Sequence, residues 1–204
     1  MELAGTYLVN TSDLDVAATV LGLEYGRMRI ARAAPDVQPW IRIWRTRVGP
    51  MTLDDADITS DVRYDVDAPQ GIMICRIRAG VVEFTAGESR RTFGRGDMVA
   101  VVADGVPMTV VMKEARCDLV SFAPSLLDEM ASLDGAAPLC GAALKRFSDP
   151  ITPSAGQQAA DVIDHIRRFI ANNPLVAHEP LVAGSAARYL VATILTAFPR
   201  ETLI

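Results

Sequence analysis

Histidine is scarce in this chain. There are two in 204 residues, His165 and His178, and neither falls where the sequence alternates apolar and polar side chains. His165 stands among Asp161, Asp164 and Arg168 on the polar side of a helical stretch, and His178 precedes Glu179-Pro180. A transition-metal site needs several correctly spaced donors, and an all-carboxylate site would be unusual, so no metal or cofactor is expected. The carboxylates of the alternating region (Asp54, Asp55, Asp57, Glu83, Asp118) read as turn or solvated-face residues. Cysteine is also sparse. Cys75, Cys117 and Cys140 form no C-x-x-C pair, which speaks against a disulfide framework or a zinc ribbon and for buried thiols in a reducing compartment. A nucleophilic cysteine would want a base nearby, and the region supplies no histidine. G-x-S-x-G, a Walker loop and a G-x-G-x-x-G opening a helix are all missing; Gly94-Arg95-Gly96 is a turn fragment, and Arg95-Gly96-Asp97 needs no other explanation.

Positive charge is short as well. Twenty basic residues face 25 acidic ones, for a net charge of −5 and a pI near 5.0. Binding to nucleic acid rests on neutralising phosphates, so direct DNA contact is not expected of this chain. Its first residues lack the basic and apolar regions of a signal peptide. The longest apolar stretch, 181–198, holds Arg188, Gly184, Ser185 and Thr193 and does not read as a membrane span. A soluble, cytoplasmic, non-enzymatic protein is the expectation.

Half of the residues are hydrophobic although only 6% are aromatic, and a chain of this size buries about 70% of its unfolded surface. Three zones follow. Residues 1–35 begin with Thr11-Ser12-Asp13, an N-cap cluster, then Leu14, Val16, Ala17, Val20 and Leu21, the spacing of a short helix. Residues 36–123 switch to period 2, with strands expected at 40–47, 51–58, 62–66, 72–78, 81–85, 90–93, 98–103, 108–112 and 117–122. Gly49-Pro50, Ala79-Gly80, Ala86-Gly87 and Asp104-Gly105 punctuate them as in an antiparallel sandwich or barrel. Residues 124–204 are helical. Leu126, Leu127, Met130 and Leu133 form one short helix. Ala159, Val162, Ile163, Ile166, Phe169 and Ile170 mark an amphipathic one. A last helix from Glu179-Pro180 to Phe198-Pro199 is apolar nearly all round and wants partners on more than one face.

A small barrel can enclose one ligand. In 72–79, Met73, Cys75, Ile77 and Ala79 share a wholly apolar face that should point inward. Met108 and Met112 share another, and Cys117, Leu119 and Ser121 a third. Such sulfur-rich faces suit a core filling or an adaptable pocket alike. Trp40, Arg42 and Trp44 form a mixed face that frames a ligand mouth or covers the outside; parity does not choose. The candidate ligand residues are Trp40, Arg42, Trp44, Met73, Cys75, Met108, Met112 and Leu119. The candidate subunit contacts are Phe169, Leu190, Ile194, Leu195 and Phe198.

The motifs VGPMTLDDADI (48–58), YDVDAPQGIMICRIRAGVVEF (64–84), TFGRGDMVAVVADGVPMTV (92–110), FAPSLLDEMASL (122–133), LKRFSDPITP (144–153) and LVAHEPLVAGSAARYLVATILTAFP (175–199) occur in an order and spacing that resembles the N-terminal effector-binding and dimerisation domain of AraC-type transcription regulators. The resemblance implies an α+β fold, a cupin-like antiparallel β-barrel followed by a helical layer. It also implies a small-molecule effector in the barrel, a homodimer through the helices, and DNA contact only through a C-terminal helix-turn-helix domain that is not in this chain. The domain is either cut before that part or a standalone sensor, truncation being the expectation. The apolar inward faces point to an apolar or aromatic effector, and residues 1–35 or 134–153 are the expected moving parts. A cupin-type metalloenzyme and a purely structural dimerisation module are the competing classes.

Overall fold

The structure, a computed structural model, describes residues 5–34, 37–67, 71–102, 105–122, 125–126, 129–130 and 144–199. Nine antiparallel strands form one curled sheet: β1 Thr6–Thr11, β2 Met28–Arg32, β3 Ile41–Val48, β4 Met51–Ile58, β5 Val62–Val66, β6 Ile72–Ala86, β7 Ser89–Gly94, β8 Met98–Val102 and β9 Met108–Phe122. The path β1-β3-β4-β9-β5-β2 carries β6 alongside β9, and β6 in turn pairs with β7 and β8. Helix α1 (Leu14–Tyr25) lies between β1 and β2, and α2 (Pro153–Ile166, continued by a π-helical turn Arg167–Ala171), α3 (Pro174–Ala177) and α4 (Pro180–Ala197) follow the sheet. This is the barrel-plus-helical-layer architecture expected.

Strand alternation separates two cores. On the concave face Ile43, Ala56, Cys75, Ile77, Val99, Cys117 and Leu119 bury into the barrel. On the convex face Leu53, Ile74, Ala100 and Val120 pack under Ile163, Ile166, Leu190 and Ile194 of the helices. Because β8 is covered on both sides, all five of its residues are buried and its sequence, MVAVV, shows no alternation.

Three differences from the sequence reading have local causes. The N-terminal zone supplies two strands besides its helix: β1 pairs with β3 and β2 with β5. Both lie at the ends of the path and are largely exposed, so they lack the apolar alternation that marks a strand. Ala79-Gly80 is a bulge inside the single 15-residue strand β6, not a turn between two strands. Gly80 has φ 72°, and a Cβ there would lie 2.3 Å from the carbonyl oxygens of Lys113 and Glu114, so the bend of β6 across β9 needs glycine. Opposite it Glu114 takes φ 45° and β9 likewise continues through the gap expected between 112 and 117. Of the short helix expected at 126–133, Leu126 is buried and Met130 packs against the same core; Leu127, Leu133, Cys140, Ala103 and residues 134–143 lie outside the described residues.

Helix α4 is the one described helix long and apolar enough to cross a membrane by length and composition, and half of it is buried in the chain's own core.

Candidate ligand-binding cavity

The curl of the sheet leaves a cavity of about 670 Å³, within the range of small-molecule sites. Strand register orders the barrel interior in rungs, whose members line the cavity except for Ile77, Cys117, Asp54 and Val99. One rung runs Ile43, Ala56, Cys117, Ile77; the next Arg45, Asp54, Leu119, Cys75, Val99; the next Arg47, Thr52, Ser121, Met73, Val101. Moving along the rungs, the lining passes from apolar to polar. Tyr64, Val110 and Phe84, paired across β5, β9 and β6, close another side.

Helix α1 covers the cavity. Asp13 caps its N-terminus by accepting from the amides of Asp15 (2.9 Å) and Val16 (3.1 Å). One turn-spaced face then places Leu21, Glu24 and Tyr25 in the cavity wall. Met28, Met51, Met73, Met108 and Met112 line it too, five of the chain's eight methionines. Unbranched thioethers repack around ligands of differing shape.

A buried polar cluster sits where α1 meets the strands. Arg45, 6% exposed, donates to Asp54, 0% exposed, through two parallel bonds: Nε to Oδ1 at 2.8 Å and Nη2 to Oδ2 at 2.7 Å. Tyr25 donates its hydroxyl to Asp54 Oδ2 and accepts from Arg45 Nη2 at 3.2 Å, while Arg45 Nη1 donates to Glu24. Burial works against the Arg45 charge, but its bonds to Asp54 outweigh that and hold its pKa above the ordinary arginine value. Burial, then the Asp54 charge, push the Tyr25 phenol well above its usual range. Burial, with a smaller contribution from Cys117, does the same to Tyr64. Cys75 and Cys117 are both free and buried; their mutual hydrogen bond, with burial, raises the Cys75 thiol far above its normal value, so it is inert as a nucleophile.

On the convex side a second network ties the sheet to the helices. Asp118, 0% exposed, meets Arg76 (Nε to Oδ2, 2.7 Å), Arg78 (3.1 Å) and Arg167 (3.0 Å). Arg76 bonds onward to Asp164 on α2, which holds that carboxyl below its usual range, and Arg78 pairs with Asp55. Arg167, in the π-helical turn, also donates to the backbone carbonyl of Asp54 at 2.9 Å; burial lowers its pKa. Asp54 thus touches both layers, by its side chain inside the barrel and by its carbonyl outside.

Of the ligand candidates read from the sequence, Met73, Cys75, Met108, Met112 and Leu119 line the cavity. Trp40, Arg42 and Trp44 do not. Arg42 and Trp44 occupy the other face of β3 and Trp40 directly precedes that strand; the Trp40 indole donates to Asn10 (2.7 Å), Arg42 pairs with Asp57 (2.7 Å) and Trp44 meets Tyr7 edge-on at 4.8 Å. The polar lining residues Arg45, Arg47, Thr52, Glu24, Tyr25 and Tyr64 are absent from those candidates, as is Asp54, which pairs with Arg45 without lining the cavity itself. The burial of Ile41 and Ile43 sets the inward parity of β3, and that parity carries Arg45 and Arg47 inward with them. Asp54 and Asp118, expected on a solvated face, are fully buried because arginines from neighbouring strands neutralise them. Asp55, Asp57 and Glu83 are partly exposed and paired, as surface carboxylates are. Of the residues expected at a subunit interface, Leu190, Ile194, Leu195 and Phe198 are buried between the helices and the sheet, which leaves Phe169 as the one that reaches solvent. The apolar residues that α3 and α4 do expose are Leu175, Leu181, Val182 and Tyr189. Among the described residues no group of three or more histidine, cysteine or acidic side chains is arranged to hold a metal, and neither histidine lines the cavity.

No family model and no curated protein matches the chain. Solved structures do. The AraC-like transcriptional activator CuxR superposes over 99% of this chain and 72% of its own with a TM-score of 0.72 at 12% identity. Apo ToxT from Vibrio cholerae matches 72% of this chain and 55% of its own (TM-score 0.46, 6% identity). A Cupin 2 conserved barrel domain protein from Salinispora arenicola matches 52% of this chain and 85% of its own (TM-score 0.34, 20% identity). The match to CuxR runs through barrel and helices alike, so the two chains share one fold.

Proposed function

We propose that the chain is the effector-sensing and dimerising part of an AraC-type transcription regulator, binding a small molecule in a metal-free barrel and acting without catalysis. The observation that carries this reading is the cavity of about 670 Å³ under α1, adaptable in lining and polar at one end. The fold shared with an AraC-like activator supports it. With a net charge of −5, DNA contact belongs to a separate domain. Regulation of genes and free buried thiols both fit the cytoplasm.

A sensor works only if the effector favours one arrangement of the molecule over another. Among the contacts that join the cavity to the helices, a polar one and a close-packed one stand at β3 and β4. Asp54, held inside by Arg45, accepts from Arg167 outside. The β3–β4 turn at Gly49, which rims the cavity, packs against Ala183 of α4 so closely that a Cβ on Gly49 would sit 2.9 Å from the Ala183 Cβ. An effector that shifts Arg45 or the turn therefore shifts β4 against the helical layer. There the exposed Phe169, Leu181, Val182 and Tyr189 offer the second subunit its surface.

The test is a thermal-shift screen of small organic acids, alcohols and amines against the chain and its Ala56→Phe variant. Ala56 lines the cavity, and a phenyl ring there fills it. Compounds that stabilise the parent and not the variant support the reading; compounds that stabilise both equally, or none, contradict it.

A further inference from the structure

We propose that the effector is an amphipathic monocarboxylate, its carboxylate seated on Arg47, Thr52 and Ser121 and its apolar body lying against the methionine-lined wall. This rests on the reading of the cavity as an effector site.

The register places the three groups side by side. Arg47 faces Thr52 across β3–β4, and Thr52 faces Ser121 across β4–β9; all three line the cavity. Among the described residues the Arg47 guanidinium has no carboxylate partner, unlike Arg45 one rung further in, and the Thr52 and Ser121 hydroxyls have no hydrogen-bond partner. A planar fork of donors beside two hydroxyls is the arrangement that receives a carboxylate. Arg47 is exposed beside Gly49 and Pro50, so the charged head stays at the wet mouth while the body enters.

The neighbouring rung sets the charge and the polarity. Arg45 is answered by two carboxylates, Asp54 and Glu24, so the inner cluster is negative by one. The two arginines are two residues apart, about 7 Å along the strand. A dianion at Arg47 would face that surplus with half its charge unmatched, whereas one carboxylate matches Arg47. Beyond Arg45 the wall passes to Ile43, Ala56, Val110 and Phe84, with the neutral phenol of Tyr64 as its polar group, and no further cation lines the cavity among the described residues to match a second carboxylate.

Three ligands of one length separate the possibilities: decanoate, 1-decanol and decylamine, titrated into the chain carrying ¹³C-methyl methionine. The methyls of Met28, Met51, Met73, Met108 and Met112 report occupancy. Decanoate is expected to bind at least about tenfold tighter than decanol, ~1.4 kcal/mol, and decylamine more weakly than either. Arg47→Ala brings decanoate to the level of decanol and leaves decanol unchanged, Arg47→Lys restores part of the difference, and Thr52→Val weakens decanoate alone. Acid and alcohol binding equally, or the amine binding best, overturns the carboxylate assignment while the cavity reading stands. No shift of the lining methyls with any of the three overturns both.

Discussion

Arg45 and Asp54 face each other across the β3–β4 register and close a two-bond pair, at 2.8 and 2.7 Å, inside the barrel. Removing one partner strands a buried charge. Asp54→Ala is expected to cost about 3–5 kcal/mol, whereas Arg45→Met with Asp54→Leu together recover most of that loss. Urea unfolding of the two single variants and the double variant measures it.

Alkaline pH acts through the buried phenols. Tyr25 and Tyr64 have folded pKa values raised above the ordinary value of 10.0, by burial first and, for Tyr25, by Asp54 next. A folded state that holds its protons more tightly loses stability as pH rises through the window between the unfolded and folded values. The contribution of the two phenols is therefore complete below about pH 10 and declines above it. Denaturant midpoints across that range are expected to fall for the parent chain and to fall less for Tyr25→Phe and Tyr64→Phe.

Arg167 joins the helical layer to Asp118, Asp55 and the Asp54 carbonyl. Arg167→Ala is expected to lower stability by on the order of 2 kcal/mol, as for hydrogen bonds to charged groups. Its more specific effect is on coupling. Hydrogen exchange of α2 and the π-helical turn is expected to respond to ligand in the parent and to stop responding in the variant while the cavity still binds.

Cavity and core respond oppositely to added volume. Ala56→Phe grows into the cavity and is expected to leave the melting temperature nearly unchanged. Ala100→Phe, on the face packed under the helices, overfills a closed core and costs about 1–3 kcal/mol or more. Thermal unfolding of the two variants side by side checks the contrast.

Much of the architecture was legible because period-2 alternation in residues 41–122 and 3.6 periodicity in 153–197 are each driven by one buried face. The inward faces of Met73, Cys75, Met108, Met112 and Leu119 followed from that alternation alone. What escaped it had other causes. β1 and β2 are exposed edge strands without a pattern; Gly80 has the same signature in a bulge as in a turn. Residue type alone favours Trp40 and Trp44 as ligand contacts, whereas Arg45 and Arg47, on the parity opposite to Trp44 in β3, reach the cavity. Asp54 and Asp118 look like surface residues until the register brings arginines beside them, and register is a long-range property. The sheet and α2 cover Leu190, Ile194 and Leu195 of the last helix, which accounts for its broad apolar face, while Leu181, Val182 and Tyr189 stay exposed.

Native mass spectrometry of the purified chain, alone and with a stabilising compound from the screen, tests the account most directly. It predicts a dimer without stoichiometric metal that takes up one compound per chain. A monomer holding one tightly bound metal ion per chain, and refusing the compound, would contradict it.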